Sequence, residues 1–272
     1  MEAAVSNFIN PGDKVIVMEN GNFAERWVKI NKAFGAQVQV ISGEWGEAAD
    51  PAALKAAIDA DVNQEIKAVY VTHNETSTGV VHDVKALREA VGDHPAIFVV
   101  DSISGMAVSP LPVDEWKLDV VVSGSQKAFM LPPGLAFISV SPKAWEVNAR
   151  CTNPVFYLSL KAAKKNFDEK STTPYTPAAN LIVGLEESLK MMEEEGLENI
   201  FKRHARNRDM VRAAARALNL EPLAADACAS SAVTAIKKPG EIDVKQVTKI
   251  MRDKYNIVIA AGQGKFDKSI FR

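Results

Sequence analysis

A chain of 272 residues, 47% hydrophobic and 24% charged, has the composition of a soluble globular protein, with length for one large core or a large domain and a smaller companion. Its formal net charge of −2 offers no electrostatic footprint for nucleic acid or an anionic membrane, and no apolar stretch approaches the ~20 residues of a membrane helix. Two cysteines, Cys151 and Cys228, supply neither a disulfide framework nor a metal-ligand spacing; with no secretory leader in Met1–Val5, the expected compartment is a reducing cytoplasm.

Glu2–Ile9 is apolar on one helical face but has no cap before it. From there the first half alternates. Lys14–Met18, Gln37–Ile41, Ala68–Thr72, Ala96–Val100, Asp119–Val122 and Leu135–Val140 are short apolar runs, continuous in β-branched residues as strands buried on both faces are. Between most of them fall helical stretches near Ala24–Phe34, Pro51–Ala60 and Val84–Val91, and Pro142 opens another. Asp50 before Pro51 has the form of an N-cap followed by proline at the first helical position. This alternation predicts an α/β fold, a mainly parallel sheet with helices on both faces, as a large domain over residues 1–165.

Asn166–Pro177 is polar and turn-rich. Helical patterns follow over Ala178–Glu195 and Leu197–Leu218, broken at Gly196, and then a strand pattern over Ser230–Lys237, a helix over Val244–Tyr255 and a strand over Ile257–Ala260. These residues, 166–272, read as connecting helices and a smaller C-terminal α+β domain. The tail Ser269-Ile270-Phe271-Arg272 begins a strand that stops at once. The basic positions within Lys202–Arg216 read as the solvated face of a helix, not a nucleic-acid surface.

Two segments carry chemistry. Ala96–Val100 ends abruptly in Asp101, and Val120–Val122 leads into Ser123-Gly124-Ser125-Gln126-Lys127. In an open α/β sheet the carboxyl ends of the strands share one edge, where ligands bind. An imine-forming amine and an acid able to hold a protonated ring nitrogen would therefore meet there, the apparatus of pyridoxal phosphate chemistry.

With Asp101-Ser102, Ser123-Gly124-Ser125-Gln126-Lys127-Ala128 and Pro132-Pro133-Gly134, the chain resembles the class V aminotransferases over essentially its whole length. It is most similar to the alanine–glyoxylate and serine–glyoxylate aminotransferase group. The resemblance implies the large pyridoxal phosphate-dependent transferase fold, pyridoxal 5'-phosphate as cofactor and a homodimer with its site at the interface. It implies an exchange between a small amino acid, alanine or serine, and a 2-oxo acid, glyoxylate or pyruvate.

Residue by residue, the resemblance makes Lys127 the Schiff-base lysine, its pKa lowered by burial beside other cations, and Asp101 the partner of the pyridine nitrogen. Ile103 would touch one ring face, Phe23 would stack on the other, and Thr76 would approach the phenolic oxygen. Gln126 would sit near the phosphate, Thr176 would reach the neighbouring subunit's phosphate, and Arg272 would grip the substrate carboxylate. The family's Ser-Gly-Thr-Gly phosphate cup has no counterpart from Met1 onward, which implies a chain cut short at both ends. Two alternatives stay open: a cysteine desulfurase-like lyase of the same fold, and a non-catalytic fragment or subunit.

Overall fold

The computed structural model describes all 272 residues. Its first half runs α1 (Ala3–Ser6), β1 (Lys14–Glu19), α2 (Asn22–Ala33), β2 (Gln37–Ser42), α3 (Pro51–Asp59), β3 (Ile66–Thr72), a small hairpin of β4 (Asn74–Glu75) and β5 (Val80–Val81), α4 (Val84–Val91), β6 (Ile97–Asp101), β7 (Val120–Gly124), β8 (Ala136–Val140) and α5 (Pro142–Arg150). The second half holds α6 (Leu160–Lys170), α7 (Ala179–Glu195), α8 (Leu197–Ala217), β9 (Ile236–Lys237), α9 (Val244–Tyr255) and β10 (Ile270–Phe271).

The apolar runs become one sheet whose inner strands β1, β3, β6 and β7 bury both faces, while the edge strands β2 and β8 stay partly exposed. Val15 and Val17 of β1 pack in one apolar layer with Val5, Phe8, Trp27 and Tyr70, whereas Ile16 and Met18 face the opposite layer with Leu54, Ile58, Leu87 and Phe98. Residues of β6 divide the same way, with Ile97 and Val99 on one side and Phe98 and Val100 on the other. Such two-sided burial leaves no polar face for alternation to mark. The sheet order is β2-β1-β3-β6-β7-β8. All neighbours pair in parallel except β8, which runs antiparallel to β7.

Short polar side chains start the helices by taking amides that have no partner within the helix. Asp50 accepts from the Ala52 amide at 2.8 Å, Asp83 from Ala86 at 2.9 Å, and Ser141 from Ala144 at 3.1 Å. Asp243 does the same for α9, accepting from Lys245 at 2.9 Å.

Three expectations need correction. Ser230–Lys237 is strand only at Ile236–Lys237, because Ser230 Oγ captures the amides of Ala232 and Val233 and turns the chain. Ile257–Ala260 forms no strand; its exposed residues follow a left-handed Asn256, and backbone pairing with the chain end begins only at Ala260. The turn-rich stretch starts later than expected, since α6 continues to Lys170.

Candidate active site

The parallel sheet brings its strand ends to one edge, and the expected acid ends one strand there while the amine lies in the turn after its neighbour. Asp101 closes β6 in register with Thr72 of β3 and Val122 of β7, and Lys127 follows five residues after Val122. Behind Asp101 the edge is tied by backbone bonds: the His73 amide donates to Asp101 O at 2.8 Å and the Ser102 amide to Val122 O at 2.9 Å.

Asp101 is 4% exposed. One carboxylate oxygen, Oδ1, accepts the Ile103 amide at 2.9 Å, and the other has no protein donor. Burial raises its pKa from the usual 3.8 to about 6; the Ile103 amide, the Met1 amine and Arg26 oppose that rise, and Glu75 adds to it. A buried carboxylate with one oxygen unclaimed suits a charged N–H brought by a ligand.

Beside it, His73 shares a 2.9 Å hydrogen bond between Nδ1 and Ser102 Oγ, and burial lowers its pKa to about 4, so the ring is neutral. Glu75 is fully buried. Its Oε2 accepts the Phe23 and Ala24 amides at 3.0 and 3.1 Å, and its Oε1 accepts the Ser77 amide and hydroxyl. The acid thus caps α2 at its positive end, fixing the turn that presents Phe23. Burial raises the Glu75 pKa, while these four donors hold it down.

A side chain at Gly21 would overlap the Cγ and carboxyl of Glu75. Gly21→Ala is expected to lower the chain's stability by about 1–3 kcal/mol, read as a fall in its denaturation midpoint.

Next to this edge lies a cavity of about 730 Å³, within the usual size for a small-molecule site. Thr76, Lys127 and Arg272, drawn from three distant segments, all line it. Lys127 is exposed, and its ammonium makes no hydrogen bond or ion pair with the protein. The burial expected of it is therefore not provided by the chain's own side chains.

The Thr76 hydroxyl lies 2.6 Å from Ser104 Oγ, which also lies 3.0 Å from Asn74 O and receives Asn74 Nδ2 at 2.8 Å. Ser104 Oγ donates its one proton to Asn74 O, so the Thr76 hydroxyl donates to Ser104 Oγ. Arg272 is anchored through Nε to Ala261 O and through Nη1 to Thr76 O and Gln263 Oε1. Its Nη2 is left without a protein acceptor.

Asp101 and the other expected site residues sit outside the cavity lining. Ile103 is half-buried beside Asp101, and the half-buried Phe23 has its ring 4.9 Å beneath the Arg26 guanidinium. Gln126 is exposed in the turn before Lys127, and Thr176 is exposed in the α6–α7 loop, away from this cavity. Sequence reasoning passed over Ser104, Glu75, His73 and the Glu195–Arg203 pair. Ser104 follows Asp101 by three residues and was within reach of the same segment; the pair spans a helix break and had no local signal.

These groups suit pyridoxal phosphate. Asp101 offers an unclaimed oxygen for the ring nitrogen, Lys127 an unpartnered amine, and Thr76 a hydroxyl oxygen in the cavity wall. The family model for class V aminotransferases matches residues 1–265. The chain is 46% identical to the soluble hydrogenase 42 kDa subunit of Anabaena cylindrica, covering 100% of this chain and 71% of that protein. It is 38% identical to the serine–glyoxylate aminotransferase of Methylorubrum extorquens, covering 100% and 69%. Its structure superposes on the crystal structure of alanine–glyoxylate aminotransferase from Nostoc sp. with a TM-score of 0.94 at 26% identity, covering 100% of this chain and 72% of that one. No helix is long and apolar enough to cross a membrane. Family match, sheet order and site edge agree, and the chain belongs to the class V aminotransferases, enzymes of the pyridoxal phosphate-dependent transferase fold.

Proposed function

We propose that this chain binds pyridoxal 5'-phosphate and serves transamination between a small amino acid, alanine or serine, and glyoxylate or pyruvate. The observation that carries this reading is the placement of Asp101 at the end of β6 and Lys127 in the turn after the neighbouring β7, with Lys127 and Arg272 lining one cavity. When bound, the cofactor supplies an electron sink conjugated to the substrate's amino-bearing carbon.

The chain's residues do the rest. Asp101 holds a proton on the ring nitrogen, and the Thr76 hydroxyl, turned from Ser104, donates to the phenolic oxygen. Lys127, freed by the incoming amine, carries the proton to and from the substrate carbon. Arg272 binds the α-carboxylate through Nη2, with its remaining nitrogens already fixed. Ile103 and Phe23 pack on the ring faces, and Gln126 lies toward the phosphate.

Thr176 acts in trans, on the cofactor of a second copy. The exposed Phe156 and Tyr157, 82% and 71% accessible, cluster with Tyr175 beside Thr176, and a second copy of the chain covers this face. Sedimentation is expected to give twice the 29.5 kDa monomer mass, and Tyr157→Glu to shift it toward the monomer.

Borohydride reduction with pyridoxal phosphate, followed by peptide mass spectrometry, tests the reading. An adduct confined to Lys127 supports it, and scattered or absent labelling sinks it. The relative named as a hydrogenase subunit favours a second reading, a non-catalytic subunit, and absent labelling would point there.

Arg272→Lys replaces a planar fork with a point charge. It is expected to raise the amino-acid KM by about 10- to 100-fold, equivalent to about 1.4–2.7 kcal/mol of carboxylate binding, with kcat less affected. Initial rates over a range of alanine concentrations check this, and an unchanged KM would remove Arg272 from the role.

A further inference from the structure

Helix α7 ends at Glu195, Gly196 takes a left-handed φ of 79°, and α8 restarts at Leu197. That break folds Arg203, two turns into α8, back alongside Glu195. Its Nε and Nη2 donate to the two carboxylate oxygens at 2.5 and 2.8 Å. Both residues line the same cavity as Lys127 and Arg272, and Glu195 is the only acid there. His204, also in the lining, is held below its usual pKa by burial and then by Arg203, so it adds no charge at neutral pH.

We propose that the Glu195–Arg203 pair keeps one wall of the cavity neutral and restricts the site to substrates with uncharged side chains. This rests on the transaminase reading and names its substrate class. Arg272 and Arg203 are the two guanidinium groups of the lining. An amino acid with one carboxylate uses Arg272 and meets Met191, Met192, Ala232 and Val233 with its side chain. A second carboxylate finds Arg203 already matched on both sides of its fork by Glu195 and gains no partner for the hydration it gives up, so discrimination comes from an unpaired charge.

The test reads carboxylate binding, not turnover, by calorimetric titration of the chain with propionate and with succinate. The wild-type chain is expected to bind propionate at least as well as succinate. Glu195→Gln is expected to shift the preference toward succinate by about tenfold, that is about 1.4 kcal/mol. Adding Arg203→Met to that variant is expected to abolish the shift. An exposed ion pair contributes little to folding, so the variants stay folded.

An unchanged preference in Glu195→Gln overturns the proposal. So does a gain that survives loss of Arg203, or a wild-type chain that already prefers succinate. Labelling of Lys127 together with any of these leaves the transaminase reading standing and removes this inference alone.

Discussion

Lys127→Ala is expected to lower transaminase kcat/KM by about 10⁴-fold or more, equivalent to at least about 5.5 kcal/mol of transition-state stabilisation, and to remove the borohydride-trapped adduct. The size of the loss follows from one amine holding two roles, covalent attachment and proton transfer at the same carbon. No second lysine lines the cavity to substitute for it. Stability provides the control. Lys127 is exposed and makes no side-chain hydrogen bond, so its truncation is expected to change unfolding free energy by no more than about 0.5 kcal/mol. Activity within tenfold of wild type would sink the assignment; lost activity with a lowered denaturation midpoint would mean damage to the fold instead.

Asp101→Asn is expected to move stability and activity in opposite directions. The native carboxyl has its pKa raised from 3.8 to about 6. Between those values the native state holds a proton that the unfolded state releases, so stability falls as pH rises through the window. Above pH 6 the full cost of the buried charge remains, about 3 kcal/mol. An amide can keep the Ile103 bond through its oxygen and carries no charge. The variant is therefore expected to be more stable than wild type by about 3 kcal/mol at pH 7.5, with the gap closing below pH 4.

The same change removes the charge that would hold the ring proton, and kcat is expected to fall by about 10³-fold. Denaturant titrations at pH 4 and 7.5, alongside kinetics, check both halves. A variant less stable than wild type at pH 7.5 would contradict the burial cost, and undiminished kcat would contradict the role.

Much of the first half of the fold was legible because its signals are local. The strands are continuous apolar runs, and the helix starts are marked by Asp50-Pro51 and Ser141-Pro142. Direction was not legible: nothing in Leu135–Val140 distinguishes the antiparallel edge strand β8 from its parallel neighbours, since a short apolar run carries no mark of direction. Ser230–Lys237 failed for a related reason. Its alternation imitates a strand, and a single hydroxyl bond at Ser230 redirects the backbone.

At the site, Asp101 and Lys127 could be chosen because each ends or follows a recognisable strand. Glu75 could not, since its role depends on the Phe23 and Ala24 amides, which only the folded chain brings to it. The Lys202–Arg216 run was read as a solvated face. Arg212 departs from that reading: it is buried and donates to Asp226 and to Ala224 O.

The acid closes β6 and the amine follows in the turn after β7, so both are carried by two hydrogen-bonded strands whose backbone pairing side-chain replacement leaves in place. The wall opposite, built on α7 and α8, is not part of that sheet. Substitutions there can drift without displacing the pair. An ancestral scaffold of this kind could trade one substrate for another by point changes in two helices, its reaction chemistry inherited intact.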